Sequence, residues 1–334
     1  MSQQESATAR GREQAARWVA ADIPDQSGRV ALITGGNSGI GYTAAVYLAS
    51  RGADVVLAGR DTAKTTAAAQ RVATEAAAAR PAPPRAAADG AVDSTGGERH
   101  VGVVTLDLAS LESVRAGAGE IRERYPRIDL LINNAGVMMP PYSRTADGFE
   151  LQFGTNHLGH FALTGLVLPS LIGVPGSRIV TVSSNGHKIG RIHFDDLDFQ
   201  QRYRRSSSYG QSKLANLLFT YELQRRLAAA GAPTIAVAAH PGTSNTALTR
   251  HLPGWMQIGA RLSPSQDARM GALPTMRAAT DPAVAGGDYY GPAGFAELTG
   301  PPKLVKSSAR SHDVEVQRRL WAVSEELTGV SYLD

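Results

Sequence analysis

Tyr209 and Lys213 stand four residues apart in the run Ser208-Tyr209-Gly210-Gln211-Ser212-Lys213. On a helix that spacing puts both side chains on one face. A free phenol titrates near ~10, and an ammonium roughly 4 Å away at an effective dielectric of ~20 interacts with the phenolate by about 4 kcal/mol. At ~1.36 kcal/mol per pKa unit, such a neighbour draws the phenol toward ~7, where it can give or take a proton at a carbonyl or alcohol oxygen. With ten tyrosines and five lysines in 334 residues, one such pair also arises by accident as a surface contact. Its meaning depends on what accompanies it.

A second group of residues suits phosphate. Thr34-Gly35-Gly36-Asn37-Ser38-Gly39-Ile40-Gly41 follows a short aliphatic run and leads directly into a helix-like stretch. Glycines there let the backbone turn tightly and approach a pyrophosphate, whose charge the helix N-terminus favours. No lysine follows the last glycine, which excludes a Walker A loop. A glycine-rich turn alone is often only a loop, and the strand-turn-helix setting is what makes Gly35, Asn37, Ser38, Gly39, Ile40 and Gly41 candidate cofactor contacts. After the next apolar run, Ala58-Gly59-Arg60 lacks an acidic residue for the adenine ribose 2′-hydroxyl, whereas Arg60 can pair with a 2′-phosphate. NADP(H) is therefore expected over NAD(H), with Asp61 keeping the NAD(H) alternative open. Two later runs end in Asp107-Leu108 and Asn133-Asn134-Ala135-Gly136, small or amide tips suited to adenine and ribose.

The elements that must position these residues alternate along the chain. Short aliphatic runs at Val30 to Thr34, Asp54 to Ala58, Val101 to Leu106, Ile128 to Asn133, Arg178 to Ser183 and Thr234 to Ala239 read as buried strands, with a shorter one near Asp288 to Tyr290. Helix-like stretches lie at Ile40 to Arg51, Thr62 to Ala79, Leu111 to Tyr125, Gly148 to Leu171 and Tyr209 to Ala230, and a last one runs from about His312 to Leu327. Strands separated by helices imply a single α/β domain, a doubly wound parallel sheet of Rossmann type with helices on both faces and its ligand site at the strands' carboxyl ends. That domain is expected over residues 28–310, after a polar extension (1–27) with a short helix around Gly11 to Ala21, and before a packed C-terminal helix and tail (311–334). The Pro- and Gly-rich segment 80–99 sits where a short turn would suffice and reads as a mobile surface insertion.

Composition narrows the chemistry. An apolar content of 43% supports a substantial core. Zero cysteines exclude disulfides and thiolate chemistry, so redox work requires a bound cofactor. The formal charge of +4 is modest, and only Arg202, Arg204 and Arg205 cluster tightly, so nucleic acid is not the expected partner. No run approaches the roughly 18 apolar residues of a membrane span, and residues 1–26 have no signal-peptide core; the expectation is a cytoplasmic protein without a membrane partner. Arginine outnumbers lysine 29 to 5, a bias that suggests a GC-rich bacterial gene.

Together these motifs resemble the short-chain dehydrogenase/reductase superfamily over roughly residues 28–300. The pattern comprises Thr-Gly-x-x-x-Gly-x-Gly at 34–41, Asn-Asn-Ala-Gly at 133–136, Asn156, the serine of Val182-Ser183-Ser184, Tyr209 with Lys213, and His240-Pro241-Gly242 followed by Thr246. Asn156-His157-Leu158-Gly159-His160-Phe161, the interval containing Phe194-Asp195-Asp196-Leu197, and Tyr209-x-x-Ser212-Lys213-Leu214-Ala215-Asn216 are similar to the retinol-dehydrogenase-like branch, and Gly287 to Pro292 to its bacterial members. The resemblance implies that Ser184, rather than Ser183, hydrogen-bonds the substrate oxygen and that Tyr209 is the general acid or base. It implies that Lys213 lowers the phenol's pKa and binds the nicotinamide ribose, and that Asn156 holds a water linking Lys213 to solvent. Pro241, Gly242 and Thr246 are implied at the cofactor. The membrane anchor of the retinol dehydrogenases and the active-site cysteine of protochlorophyllide reductases have no counterpart in the sequence.

The expected function is thus interconversion of a carbonyl and an alcohol on an apolar small molecule, by hydride transfer with NAD(P)(H). A non-catalytic NADP(H)-binding regulatory scaffold is the alternative. Pocket shape is expected from loops 186–208 and 243–262, and the apolar Leu252, Trp255, Met256 and Ile258 in the second read either as a substrate lid or as an ordinary buried helix. No metal site is expected: His157 and His160 lack a third ligand at matching spacing and read as structural. His187, His193 and His240, near the expected cleft, read as satisfied loop histidines, with a substrate contact by one of them as the alternative. The helices at 148–171 and 209–230 are those that pair in superfamily dimers, so the resemblance also implies a homodimer.

Overall fold

Val30 to Thr34 buries four of its five residues, the mark of a strand covered on both faces. It belongs to a sheet made of β1 (Val30–Thr34), β2 (Asp54–Gly59), β3 (Val101–Thr105), β4 (Leu130–Asn133), β5 (Arg178–Val182), β6 (Ile235–Ala239), β7 (Tyr289–Pro292) and β8 (Pro302–Leu304), of which β3 and β8, at the two edges, are the less buried. The structure, a computed structural model, describes residues 18–79, 101–243 and 265–333. The strand order is β3-β2-β1-β4-β5-β6-β7-β8. β1 to β7 pair in parallel, and β8 returns antiparallel to β7. The order reverses between β1 and β4, and a doubly wound sheet opens its ligand crevice at such a switch point.

The helices are α1 (Gly39–Ser50), α2 (Thr62–Ala78), α3 (Leu111–Arg124), α4 (Gly159–Val167), α5 (Arg205–Ala229), α6 (Ala268–Thr280) and α7 (Val314–Thr328). Their starts are set by short acceptors. Asp61 caps α2, Ser110 α3, Asp267 α6 and Asp313 α7, each accepting from a first-turn backbone N–H. Strand alternation divides the core. Ala31, Ile33, Val55 and Leu57 face α1, α2 and α6, while Leu32, Val56, Leu131 and Ile179 face α3, α4, α5 and α7.

Three expectations need correction. The stretch Gly148 to Leu171 is not one helix: a turn at Leu151–Phe153 opens into a π-turn at Gly154–Leu158, α4 follows, and a 3₁₀ turn at Leu168–Ser170 with Pro169 in its first positions ends it. Glycines at the break allow the crowding, since a Cβ on Gly159 would collide with the Leu108 carbonyl. α6 was not foreseen because Pro274 lies inside it. Nor was β8, a three-residue edge strand that begins with a proline and makes the sheet mixed rather than wholly parallel. The segment 80–99, the helix expected near Gly11 apart from a 3₁₀ turn at Ala20–Asp22, and the loop from 244 to 262 lie outside the described residues.

Candidate active site

The carboxyl ends of β1, β4, β5 and β6 meet α1, the π-turn and α5 in one place, and Thr34 ties the first two strands there. Its hydroxyl oxygen accepts the backbone N–H groups of Asn134 at 2.9 Å and Ala135 at 3.0 Å, while Asn134 Nδ2 donates to the Thr34 carbonyl at 2.9 Å. Gly35 follows at φ +65 and packs on Ala135. A Cβ on Gly41 would collide with Asn134 Nδ2 and come within 2.6 Å of the Gly35 carbonyl, so side chains are excluded where the turn is tightest. Ser38 is the N-cap of α1 but makes no side-chain cap bond, leaving first-turn N–H groups for an anion. Asn37 and Gly39 are half-buried beside it, and Ile40 anchors the helix start in the interior. This backbone fits a pyrophosphate.

At the tip of β2, Arg60 is exposed. Asp61 is committed elsewhere, accepting from Lys64 N at 3.0 Å and pairing with Lys64 Nζ at 2.7 Å. Asp107 accepts from Ala109 N at 3.0 Å and donates its own N–H to Ser113 Oγ, shaping the bend after β3, and Leu108 is buried against Gly159. Gly136 lies beside Asn156 and Lys213: a Cβ there would stand 3.0 Å from Asn156 Oδ1 and 3.6 Å from Lys213 Nζ.

Asn156, Tyr209 and Lys213 are all buried, at 0%, 9% and 5% exposure. Asn156 Oδ1 accepts from Val137 N at 2.8 Å, and its Nδ2 donates to the Val137 carbonyl and to Ser212 Oγ, both at 3.0 Å. Ser212 in turn donates to the Tyr209 carbonyl at 2.9 Å, so it joins the π-turn to α5. Lys213 Nζ donates to the Val182 carbonyl at 3.0 Å and lies 5.9 Å from the Tyr209 ring centre. Ser184 faces the phenol and caps the 3₁₀ turn Asn185–Ile189 by accepting from Gly186 N at 3.1 Å. Its neighbour Ser183 is buried and donates to the Lys213 carbonyl at 2.8 Å, a bracing contact that leaves Ser184 as the serine turned toward Tyr209.

The electrostatics differ from the expectation. Burial pushes the Tyr209 phenol up, and the contact with Ser184 opposes that shift. Burial also pulls the Lys213 ammonium down to about 8. The expected drop of Tyr209 toward neutrality through Lys213 is therefore absent in this arrangement, because the ammonium is hydrogen-bonded to Val182 rather than held at the phenol oxygen.

Pro241 and Gly242 follow β6, with Gly242 at φ +66 packed under Leu298. Thr246 lies outside the described residues. Here the structure adds a segment that pattern reading missed, the strap 293–301 between β7 and β8. Thr243 N donates to the Leu298 carbonyl at 2.8 Å, and Gln266 donates to Pro241 O while accepting from Gly300 N. Glu297 accepts from His240 Nε2 at 3.1 Å and Lys188 Nζ at 3.2 Å. Ala296 and Glu297 both hold positive φ, and Phe295 is 90% exposed. His187 bridges the Ser184 carbonyl and Ser308 N, His157 reaches Ser324, and His193 is exposed against Phe199. Among the described residues no group of three His, Cys, Asp or Glu is placed to hold a metal ion, and no helix is long and apolar enough to cross a membrane.

A glycine turn at a sheet switch point beside a buried Asn, Ser, Tyr and Lys defines a class of dinucleotide-dependent oxidoreductase, and comparison with known proteins gives the family. The chain belongs to the short-chain dehydrogenase/reductase superfamily, with the short chain dehydrogenase family matched over residues 29–84 and 79–257. It is 41% identical over 317 residues to retinol dehydrogenase 14 of Mus musculus, covering 91% of this chain and 86% of that protein. Retinol dehydrogenase 13 of Homo sapiens is 40% identical over 316 residues, covering 91% of this chain and 85% of that protein. An uncharacterized protein from Mycobacterium paratuberculosis has a crystal structure that matches with a TM-score of 0.75 at 42% identity, covering 94% of this chain and 98% of that one. The protein is thus an oxidoreductase of this family, with retinol-dehydrogenase-like relatives.

Proposed function

We propose that the protein interconverts a carbonyl and an alcohol on an apolar small molecule, using NADP(H) in preference to NAD(H), as a protein of the cytoplasm. The observation that carries this is the convergence of Ser184, Tyr209, Lys213 and Asn156 beside a backbone cradle suited to a pyrophosphate. The nicotinamide cofactor, when bound, supplies or accepts the hydride. The chain's own part is positioning and proton transfer. Ser184 donates a hydrogen bond to the substrate oxygen, and Tyr209 protonates that oxygen in reduction or deprotonates it in oxidation. Lys213 holds the nicotinamide ribose and hands the proton onward. Both amide hydrogens of Asn156 are already engaged, so the water on the path to solvent is held at its main-chain carbonyl, on the lone pair beside the His160 Nδ1 contact. Gly35, Asn37, Ser38, Gly39, Ile40 and Gly41 contact the pyrophosphate, Asp107, Leu108, Asn134, Ala135 and Gly136 the adenosine and ribose, Pro241 and Gly242 the cofactor, and Thr246 its pyrophosphate or carboxamide.

Arg60 reads the 2′-phosphate. The commitment of Asp61 to the α2 cap and to Lys64 supports that choice, because an NAD(H)-selective site needs an acid free to accept from the 2′-hydroxyl. Titrating the protein with NADPH and NADH by nicotinamide fluorescence tests the cofactor assignment. Arg60→Ala is expected to weaken NADPH by roughly 10-fold or more, the worth of a charge-assisted phosphate contact, while leaving NADH nearly unchanged. Equal losses for both cofactors would overturn the role of Arg60, and binding of neither by the unaltered protein would overturn the function.

A further inference from the structure

His160 is fully buried one turn beyond Asn156, at 1% exposure, with a hydrogen-bond partner for each ring nitrogen. Nε2 lies 2.9 Å from Thr34 Oγ1, and Nδ1 lies 3.0 Å from the Asn156 main-chain carbonyl. The Thr34 hydroxyl decides which nitrogen carries the proton. A hydroxyl has one O–H and two lone pairs. Both lone pairs are filled by the N–H groups of Asn134 and Ala135, so the remaining interaction uses the O–H. Its other acceptor, the Ile132 carbonyl, lies at 3.4 Å, well beyond the usual length, so the proton points to His160 Nε2. Nε2 is thereby an acceptor, Nδ1 carries the hydrogen, and Nδ1–H donates to the Asn156 carbonyl. An imidazolium would put two donors on the Thr34 contact. Burial in addition lowers the ring to about 4, with Lys213 acting the same way and His157 the other titratable neighbour.

We propose that His160 is a positioning residue that ties the Thr34 hub of the cofactor turn to the main-chain carbonyl of Asn156, so that one neutral imidazole sets the phosphate side and the proton-relay side of the site together. The tie rests on the proposed function for its consequence but not for its geometry. His157, three residues earlier and just as buried, is a built-in contrast. It points away, to Ser324 of α7 among aromatic rings, and touches neither loop.

The two halves can be cut separately. In His160→Asn the side-chain amide reproduces the Nδ1–H donor but does not reach Thr34; in His160→Gln the amide oxygen can accept from Thr34 while the donor to Asn156 is lost. His160→Asn is expected to weaken NADPH binding several-fold with kcat and its pH profile kept. His160→Gln is expected to keep NADPH affinity while kcat falls roughly tenfold and its pH profile shifts, about the effect of one unmade buried hydrogen bond. His157→Asn is expected to lower the melting temperature and leave both readouts in place. Parallel losses of affinity and kcat in both His160 variants, or no change in either, would overturn the tie. Should neither variant fold, ¹⁵N NMR of the imidazoles in the unaltered protein decides the matter: the inference requires a His160 with Nδ1 protonated and Nε2 bare through neutral pH, and an Nε2–H tautomer would end it. Turnover retained in Tyr209→Phe would instead remove the functional reading and leave the imidazole result standing.

Discussion

At the scale of single residues, two adjacent serines show how identity is decided by contact. Ser183 spends its hydroxyl on the Lys213 carbonyl, whereas Ser184 faces the phenol of Tyr209. The phenol is pushed up by its burial, so it is protonated through neutral pH. Under the proposed function, reduction consumes that proton and oxidation needs the phenolate. Carbonyl reduction is therefore predicted to hold its rate through neutral pH, and alcohol oxidation to rise steadily with pH above it. Initial rates measured in both directions over a pH series check this; an oxidation optimum below neutrality would contradict it. The residue types were legible in the sequence, since Tyr209, Lys213, Ser184 and Asn156 all come to the site. The pKa direction was not, because helical spacing says that Lys213 shares a face with Tyr209 and cannot say that Val182 takes its ammonium.

Elements explain what the sequence hid. The alternating strands and most helices follow from period and glycine punctuation, and their observed limits differ from expectation by a residue or two, with α5 starting four residues early at Arg205. The π-turn at Gly154–Leu158 left no signal, because its residues read as helix and the close approach of Gly159 to Leu108 just after it is made by a residue far away in sequence. The strap 293–301 was equally silent, being irregular and held by contacts to the segments that follow β5 and β6, far away in sequence. Its anchor is Glu297, whose carboxyl is held at about 2 by the hydrogen bond from His240 and by Lys188. His240 is itself neutral, since burial lowers its pKa, and so acts as a hydrogen-bond donor. A carboxyl that binds its proton more weakly folded than unfolded adds stability that is complete above its ordinary value of 4.5 and is lost as pH falls toward about 2. Glu297→Gln is thus predicted to melt below the unaltered protein at neutral pH, with the gap narrowing as the solution is acidified through that window. Thermal melts of both proteins over the pH series read it out, and a gap that stays constant would show that Glu297 does not anchor the strap as a carboxylate.

Across the whole molecule, the site is braced from behind. Trp321 of α7 packs on Phe161 at 5.0 Å and stacks on Phe219 at 5.9 Å, and the tail residue Tyr332 closes the same cluster against Phe161 at 5.0 Å. Phe161 follows His160 on α4, and Phe219 lies on α5 after Lys213, so the C-terminal helix backs the two helices that carry the site. The sheet order brings the cofactor turn, the π-turn and α5 together at one switch point, and each face contributes its own packed layer. Such an arrangement gives the rigid frame that the proposed hydride transfer, with a proton supplied from the protein side, requires. The most direct measurement follows label from NADPH deuterated at the transferring position of the nicotinamide into a panel of hydrophobic aldehydes and ketones, with Tyr209→Phe run alongside. The account predicts deuterium on the carbinol carbon of the product with the unaltered protein and a loss of at least roughly 100-fold in rate for Tyr209→Phe, in line with removal of a general acid. Cofactor binding without label transfer to any member of the panel, or undiminished transfer by Tyr209→Phe, would contradict it.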